Sequence, residues 1–193
     1  ADLNLYHNWI LDYVARIHSN QYYNLVSETI SQGCGSGSCH KVYNVEQHDA
    51  QFQGYELQLM MPLLEVGVHH VDAEFFSDYV RGQFYDHGDI PRLPPLRYGF
   101  QLTWHHPDLM ANIRLTRAER QERPGNHEPQ TDGYWLLNSG TTMTLVEDAQ
   151  SRLVFYANAK NLLNQTIRQS VSYLRNIAPQ QGRGFEFGVR AEF

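Results

Sequence analysis

The sequence predicts an all-β fold, an antiparallel transmembrane β-barrel. Apolar and polar residues alternate with a period of two in segment after segment, as they do in strands that present one face to lipid. The connections between these segments alternate strictly between long and short, as in outer-membrane barrels. No apolar run approaches the roughly 18 residues of a spanning helix, and a barrel can remain half polar because its backbone groups pair between strands.

The first two strands are predicted at residues 2–16 and 43–61. Both exceed the usual strand of about 5–6 residues. They suit membrane strands that need about 9 to 11 residues to cross and continue beyond the bilayer. In the first, apolar Leu3, Leu5, Trp9, Leu11 and Tyr13 alternate with polar Asp2, Asn4, Asn8 and Asp12. In the second, Tyr55, Leu57, Leu59 and Met61 alternate with Gly54, Glu56, Gln58 and Met60.

The later strands repeat this pattern, and the segments 109–123 and 151–167 are again long. Around residues 97–105 the apolar side is Tyr98, Phe100, Leu102 and Trp104. The final segment places Phe185, Phe187, Val189, Ala191 and Phe193 on one face and Glu186, Gly188, Arg190 and Glu192 on the other. One such strand also suits a soluble sandwich, so the repetition along the whole chain decides for a barrel.

The number of connections predicts about eight strands. Three connections are short, at residues 62–67, 106–108 and 148–150, and four are longer, at roughly 17–42, 85–96, 124–132 and 168–182. Outer-membrane barrels have short periplasmic turns and long extracellular loops, so the last strand is expected to run toward the periplasm. Aromatic residues suited to the membrane interfaces are Trp9, Tyr13, Tyr98, Trp104, Tyr134 and Trp135.

Composition and motifs argue against two other classes of function. The formal charge of −6 comes with scattered arginines and no basic cluster, so no nucleic-acid partner is expected. No enzymatic activity is expected, because Ser170 and Ser172 have no evident histidine partner in the sequence.

Three local motifs carry a resemblance to a known family. The segment Asn44 with Ala50–Leu57 resembles the Asn…Ala-x-x-x-Gly-x-Glu strand of TonB-dependent outer-membrane receptors. The segment Ile90–Arg97 looks like the proline-rich loop that enters a late barrel strand of that family. The ending, with Asn161–Asn164, Tyr173–Arg183 and the strand to Phe193, is similar to the family's C-terminal signature.

The resemblance implies that residues 1–193 are the C-terminal portion of a barrel of about 22 strands, without its N-terminal plug domain. Such receptors lie in the bacterial outer membrane, contact its lipid, and take up cargo with energy from the TonB complex, which acts through the plug. The polar strand face would then line a hydrated lumen. It holds Asp2, Asn4, Glu56, Gln58, Arg114, Glu186 and Arg190.

The long loops carry residues suited to a borderline divalent metal such as zinc, which favours imidazole, thiolate and carboxylate ligands. The chain has 10 His, and four fall in or beside these loops. The candidate ligands are His18, His40, His87 with Asp86 and Asp89, and His127 with Glu128. Surface loops also collect such residues without a ligand. His69, His70, His105 and His106 lie at the short turns and are expected to be interfacial polar residues.

Cys34 and Cys39 lie close together in a Gly/Ser-rich loop on the oxidising side of the membrane, which favours a disulfide over a metal-binding thiolate pair. His40 remains able to act beside a disulfide.

The His-rich loops, together with the proline-rich and C-terminal motifs, make the chain most similar to the zinc-uptake branch of the family, with zinc as transported ligand and no resident cofactor. Siderophore, haem and cobalamin receptors share the barrel and remain alternatives; Arg92, Arg97, Arg120 and Arg123 would suit an anionic chelate. A structural alternative is a small barrel of eight strands that closes on itself, which requires pairing between residues near 2–16 and 183–193.

Overall fold

The structure is a computed structural model that describes residues 1–35, 38–126 and 128–193. Its described residues form one antiparallel sheet of ten strands, which confirms the predicted all-β class. The strands are β1 (Asp2–Asn24), β2 (Thr29–Ser31), β3 (Cys39–Val66), β4 (His69–Phe84), β5 (Gly88–Asp89), β6 (Arg97–His106), β7 (Leu109–Ala118), β8 (Tyr134–Glu147), β9 (Arg152–Lys160) and β10 (Gly184–Glu192). No helix among these residues is long and apolar enough to cross a membrane.

Eight long strands run up and down in sequence order, and β2 and β5 are short additions in the long connections. The order across the sheet is β10-β9-β8-β7-β6-β4-β3-β1-β2, with β5 beside β4. Within the described residues, β10 pairs only with β9, and no pairing joins β10 to β1. The sheet is therefore open, and the alternative of a self-closing barrel of eight strands is wrong for this structure.

Several strand ends differ from the prediction. The first hairpin continues beyond residue 17, because β1 and β3 stay paired as far as Asn24 and Cys39. At the other end β3 does not turn at Pro62 but continues to Val66, and a bulge between Pro62 and Leu64 accommodates the proline. The actual turn is at Gly67, which has a φ of +59°. β7 and β9 end earlier than predicted, at Ala118 and Lys160.

The sheet has an apolar and a polar face, as predicted. We call the face that holds Leu5 and Phe187 the outer face; these side chains are 70% and 76% exposed. The inner face holds the predicted polar residues Glu56 and Gln58, which line a concavity of about 510 Å³. Charged residues pair across this inner face: Asp78 with Arg97, at 2.8 Å, and Glu74 with Arg114, at 3.7 Å.

A β-bulge in β1 changes which face its side chains occupy. Ile10 pairs with Ala50 and Tyr13 with His48, so two residues of β1 oppose one residue of β3. Asp12, at the bulge, has a φ of +52°, and its N–H donates to Asp49 Oδ1 at 3.1 Å. The bulge moves Tyr13 to the inner face, so its predicted place beside Leu11 on the lipid side is wrong.

The buried apolar core is small and lies at the end of the sheet that carries the long loops. Its centre is Ala50, Phe84 and Ile90, and Tyr13 and Leu93 are among the side chains packed against it. Residues of β1, β3 and β4 meet there with the loop that follows β4. This packing fixes the position of that loop, and the candidate site lies in it.

Candidate metal centre

A cluster of histidines and carboxylates lies where β3 meets the loop after β4. Ala50 of β3 pairs with Phe84 at the end of β4, and the Tyr85 N–H donates to the Asp49 carbonyl at 3.1 Å. The chain therefore leaves β4 directly beside the preceding part of β3. This places Asp86 and His87 against His48.

The His48 imidazole is the centre of the cluster. Its Nδ1 lies 3.0 Å from Asp86 Oδ2, and its Nε2 lies 3.1 Å from Glu46 Oε2. The His87 ring packs against it, with 4.0 Å between ring centroids, and His87 Nδ1 lies 3.0 Å from Asp86 Oδ1. Glu46 and His48 share a face because they are two residues apart on one strand.

The ligand atoms of Glu46, His48 and His87 lie within 4.8 Å of one another. Ligand atoms in a tetrahedral site with bonds of about 2.1 Å are about 3.4 Å apart, so these atoms would have to move closer together to enclose an ion. Asp86 adds a further carboxylate in contact with both imidazoles. Two imidazole nitrogens with carboxylate oxygens suit Zn²⁺ and Cu²⁺.

The cluster lies outside the predicted membrane span. His48 is about 18 residues along β3 from the turn at Val66, which is about 45 Å for a tilted strand and exceeds the roughly 30 Å of the hydrocarbon core. Hydrogen bonds from Asn44 and His48 lower the pKa of Glu46, and those from His87 and His48 lower the pKa of Asp86. The contact with Glu46, and after it the contact with Asp86, raises the pKa of His48.

Two of the four residues of this cluster are among the ligands that the sequence predicts. Asp86 and His87 were predicted as ligands and lie in it, whereas Glu46 and His48 were not predicted. Their spacing was a usable signal, since a Glu-x-His pair near the loop end of a strand presents both side chains on one face. What the sequence did not reveal is that this pair faces the loop after β4.

The structure places Asp89 and Glu128 outside the cluster, because each contacts arginine. Asp89 lies 3.9 Å from Arg81 and accepts a hydrogen bond from Gln83. Glu128 is buried between two guanidinium groups, with 2.7 Å to Arg92 and 2.8 Å to Arg175. The Glu128 carboxylate thus joins its own loop to the segments that carry Arg92 and Arg175.

Of the other predicted histidines, His18 and His40 are described by the structure, and neither belongs to the group of ligand atoms. His18 nevertheless lines one small pocket together with His87 and Asp89. His18 is buried, its ring lies against Tyr22 and Tyr43, and its Nδ1 accepts a hydrogen bond from the Asn20 N–H at 3.0 Å. His40 lies exposed on β3, opposite Tyr23. His127 lies outside the residues that the structure describes.

Cys34 and Cys39 form a disulfide, with a Cα–Cα distance of 5.8 Å. Sulfur in a disulfide does not act as a thiolate ligand. The two serines considered as nucleophiles make local hydrogen bonds: Ser170 Oγ donates to the Leu93 carbonyl, and Ser172 Oγ accepts from the Leu174 N–H.

Comparison with known proteins identifies the fold. No protein-family model matches the sequence, and no curated protein matches it. The structure is similar to a solved structure of the copper transporter OprC, with a TM-score of 0.72 and 17% sequence identity over 98% of this chain. The matched region is 28% of the OprC chain, so this chain spans less than a third of that protein's length. At this identity the likeness establishes the fold alone.

Proposed function

We propose that this chain is the C-terminal portion of the barrel of a TonB-dependent outer-membrane receptor that takes up a metal ion or metal chelate, with zinc as the first candidate. In this proposal Glu46, His48, Asp86 and His87 capture the cargo at the outer mouth of the barrel. The observation that carries the proposal is this cluster at the long-loop end of a sheet whose outer face is apolar.

The exposed apolar face supports a membrane location. Leu3, Leu5, Phe187 and Val189 are each at least 60% exposed on the outer face. Burying such surface in lipid is favourable by about 25 cal/mol per Å². In water the same face would promote aggregation.

The open sheet supports a larger barrel. β10 and most of β1 pair on one side only among the described residues. Each unpaired backbone group in hydrocarbon costs several kcal/mol, so stable insertion requires further strands to complete the ring. In a receptor of this class those strands come from the rest of the barrel.

The cluster itself supports metal capture. Two carboxylates and two imidazoles provide four donors with net negative charge, which attracts a divalent cation. In this proposal no bond in the cargo is made or broken. The protein binds the cargo at the extracellular side and releases it into the periplasm. Release would require the plug and the TonB complex, which act on the cargo after capture.

Copper is the second candidate, favoured by the fold likeness to a copper transporter. Nitrogen and oxygen donors suit Cu²⁺, and the Irving–Williams order places its affinity above that of Zn²⁺ at a given site. Selectivity therefore depends on the geometry of the cluster and on which metal reaches the cell surface.

Calorimetry on the full-length receptor in detergent tests this proposal, with Zn²⁺ and Cu²⁺ titrated separately. The test variant is His48→Ala with His87→Ala, and the matched control is His40→Ala, an exposed histidine on the same strand β3. We expect the double variant to lose one metal equivalent and the control to retain it. Equal metal binding by all three proteins contradicts the proposed centre. No metal binding by any of them leaves a siderophore, haem or cobalamin as cargo.

A second measurement tests transport. Uptake of radioactive zinc by cells should fall on deletion of the TonB complex and in the His48→Ala/His87→Ala variant. Uptake that persists without TonB contradicts the receptor class.

A further inference from the structure

The histidines at the short turns fall into two pairs on opposite faces of the sheet. His70 of β4 pairs directly with His105 of β6, and both lie on the inner face with Asp72. His69 and His106 lie on the outer face. From the sequence, all four are expected to be interfacial polar residues. The strand register places them in pairs on the two faces of the sheet.

The outer pair has the surroundings of a membrane interface. His69 packs against Trp104, with 5.8 Å between ring centroids, and against His106, at 5.3 Å. Aromatic and amphipathic rings of this kind are favoured at the headgroup level. The predicted interfacial role suits this pair.

The inner pair has the surroundings of a metal site. His70 Nε2 lies 2.8 Å from Asp72 Oδ1, and His105 Nε2 lies 3.4 Å from Asp72 Oδ2. One carboxylate thus lies between two imidazoles from neighbouring strands. A second carboxylate follows, since His70 Nδ1 lies 3.1 Å from Glu65 Oε1.

We propose that His70, Asp72 and His105 form a second divalent-metal site, at the short-turn end of the inner face, for Zn²⁺ or Cu²⁺. The two imidazoles are paired across adjacent strands, with 5.8 Å between ring centroids. The ligand atoms of these three residues are not grouped within 4.8 Å as those of Glu46, His48 and His87 are. Metal binding therefore requires both rings to rotate toward Asp72, which would supply two nitrogens and one oxygen, the three protein ligands typical of a zinc site that keeps an open position.

The second site is accessible to an ion. The side chains of His70, Asp72 and His105 are 35%, 28% and 43% exposed. Water or Glu65 can complete the coordination. An ion bound here can therefore exchange, as a site on a transport path requires and a closed structural site does not.

Both metal sites lie on the same face of the sheet. Between them the inner face of β3 and β4 carries the carboxylates Glu56, Glu74 and Asp78, which line the central concavity. The separation along β4 from Phe84, two residues before Asp86, to His70 is 14 residues, or about 46 Å. If the proposed function holds, the first site captures the ion and the second receives it near the exit. The ligand set of the second site does not depend on that function.

Residue-resolved chemical modification tests the second site. The full-length receptor in detergent is treated with diethylpyrocarbonate with and without Zn²⁺, and each modified histidine is quantified by mass spectrometry. We expect Zn²⁺ to protect His70 and His105 severalfold while His69 and His106, equally close to the turns, react as before. The Asp72→Asn variant should lose the protection because it removes the shared carboxylate.

Two results would overturn the inference: equal reactivity of His70 and His105 with and without Zn²⁺, or equal protection of the outer pair. A His70→Gln/His105→Gln variant that keeps the same number of zinc equivalents as wild type by calorimetry would also overturn it. The same modification experiment reads His48 and His87 separately. A failure of the proposed site at Glu46, His48, Asp86 and His87 is thus distinguishable from a failure of the second site.

Discussion

At the scale of single residues, the His48 imidazole contacts two carboxylates, and the effect of these contacts on its pKa can be measured. The carboxylates of Glu46 and Asp86 raise the pKa of His48 above its ordinary value of 6.5. A raised folded-state pKa stabilises the fold below the unfolded pKa, and this contribution is lost as pH rises through the folded value. In metal-free protein we expect His48 to titrate above pH 6.5 by NMR.

The Glu46→Gln variant removes the largest cause of this shift and should lower the pKa of His48. The signal of His40, an exposed histidine on the same strand, shows whether any change is specific to His48. If the pKa of His48 is the same in wild type and variant, the Glu46 contact does not exist in solution.

A second residue-scale prediction concerns the buried ion pairs of Glu128. The Glu128 and Arg175 side chains are 7% and 6% exposed, and Arg175 Nη1 also donates to the Ser170 carbonyl. Removing one partner of a buried pair typically costs about 3–5 kcal/mol, and the retained Arg92 should keep the cost of Arg175→Ala near about 3 kcal/mol. We expect faster proteolysis and hydrogen exchange in residues 161–183 of the Arg175→Ala receptor.

The matched control is Arg120→Ala, because Arg120 makes an exposed hydrogen bond to Gln130. It should leave both rates unchanged. Equal rates in wild type and the Arg175→Ala receptor would show that the loop is held by other contacts.

At the scale of strands, periodicity predicted the faces well wherever the strand was regular. The final strand places Phe187 and Glu186 on opposite faces as expected, because one unbroken register joins β9 and β10. The prediction failed at Tyr13, because a bulge adds one residue and reverses every side chain beyond it. Nothing in the alternation marks Asp12 as the residue with positive φ.

The candidate site shows the same limit of prediction from local sequence pattern. Asp86 and His87 were predicted from their ligand chemistry, but their partners lie on another strand. The Ala50–Phe84 register is set by core packing between distant segments, so local spacing alone did not reveal that His48 meets them.

A prediction at the strand scale concerns an aromatic ring that lies over a glycine. Gly188 of β10 pairs with Tyr156 of β9, and an added Cβ at Gly188 would lie 2.5 Å from the Tyr156 hydroxyl. We expect Gly188→Ala to destabilise the barrel by about 1–3 kcal/mol through overpacking. The measurement is the folded fraction by heat-modifiable gel mobility.

Tyr156→Ala in the same chain should restore part of the loss, because the atoms near this added Cβ belong to the Tyr156 ring. Gly33→Ala is the control, since its Cβ would meet no atom within 4 Å. A double variant no more stable than Gly188→Ala alone would contradict the ring-over-glycine contact.

At the scale of the whole molecule, the fold class followed from the sequence because the alternation recurs in strand after strand and the seven connections alternate between long and short. Closure did not follow, because the number of strands in a ring depends on whether the first and last strands pair. In the described residues the first and last long strands do not pair with each other: β10 pairs only with β9, and β1 pairs with β3 and, at its end, with the short β2.

The edges of this open sheet predict how the isolated chain behaves. A chain of residues 1–193 alone should form oligomers or aggregates in detergent, since free edges recruit other strands. Leu5→Cys with Val189→Cys should give no intramolecular disulfide in it, because the sheet holds these strands at opposite ends. The control, Leu5→Cys with Tyr55→Cys, should form one, since these residues pair directly across β1 and β3. A monomer that forms the first disulfide as readily as the control would be a closed barrel of eight strands, and the receptor proposal would then lose its structural basis.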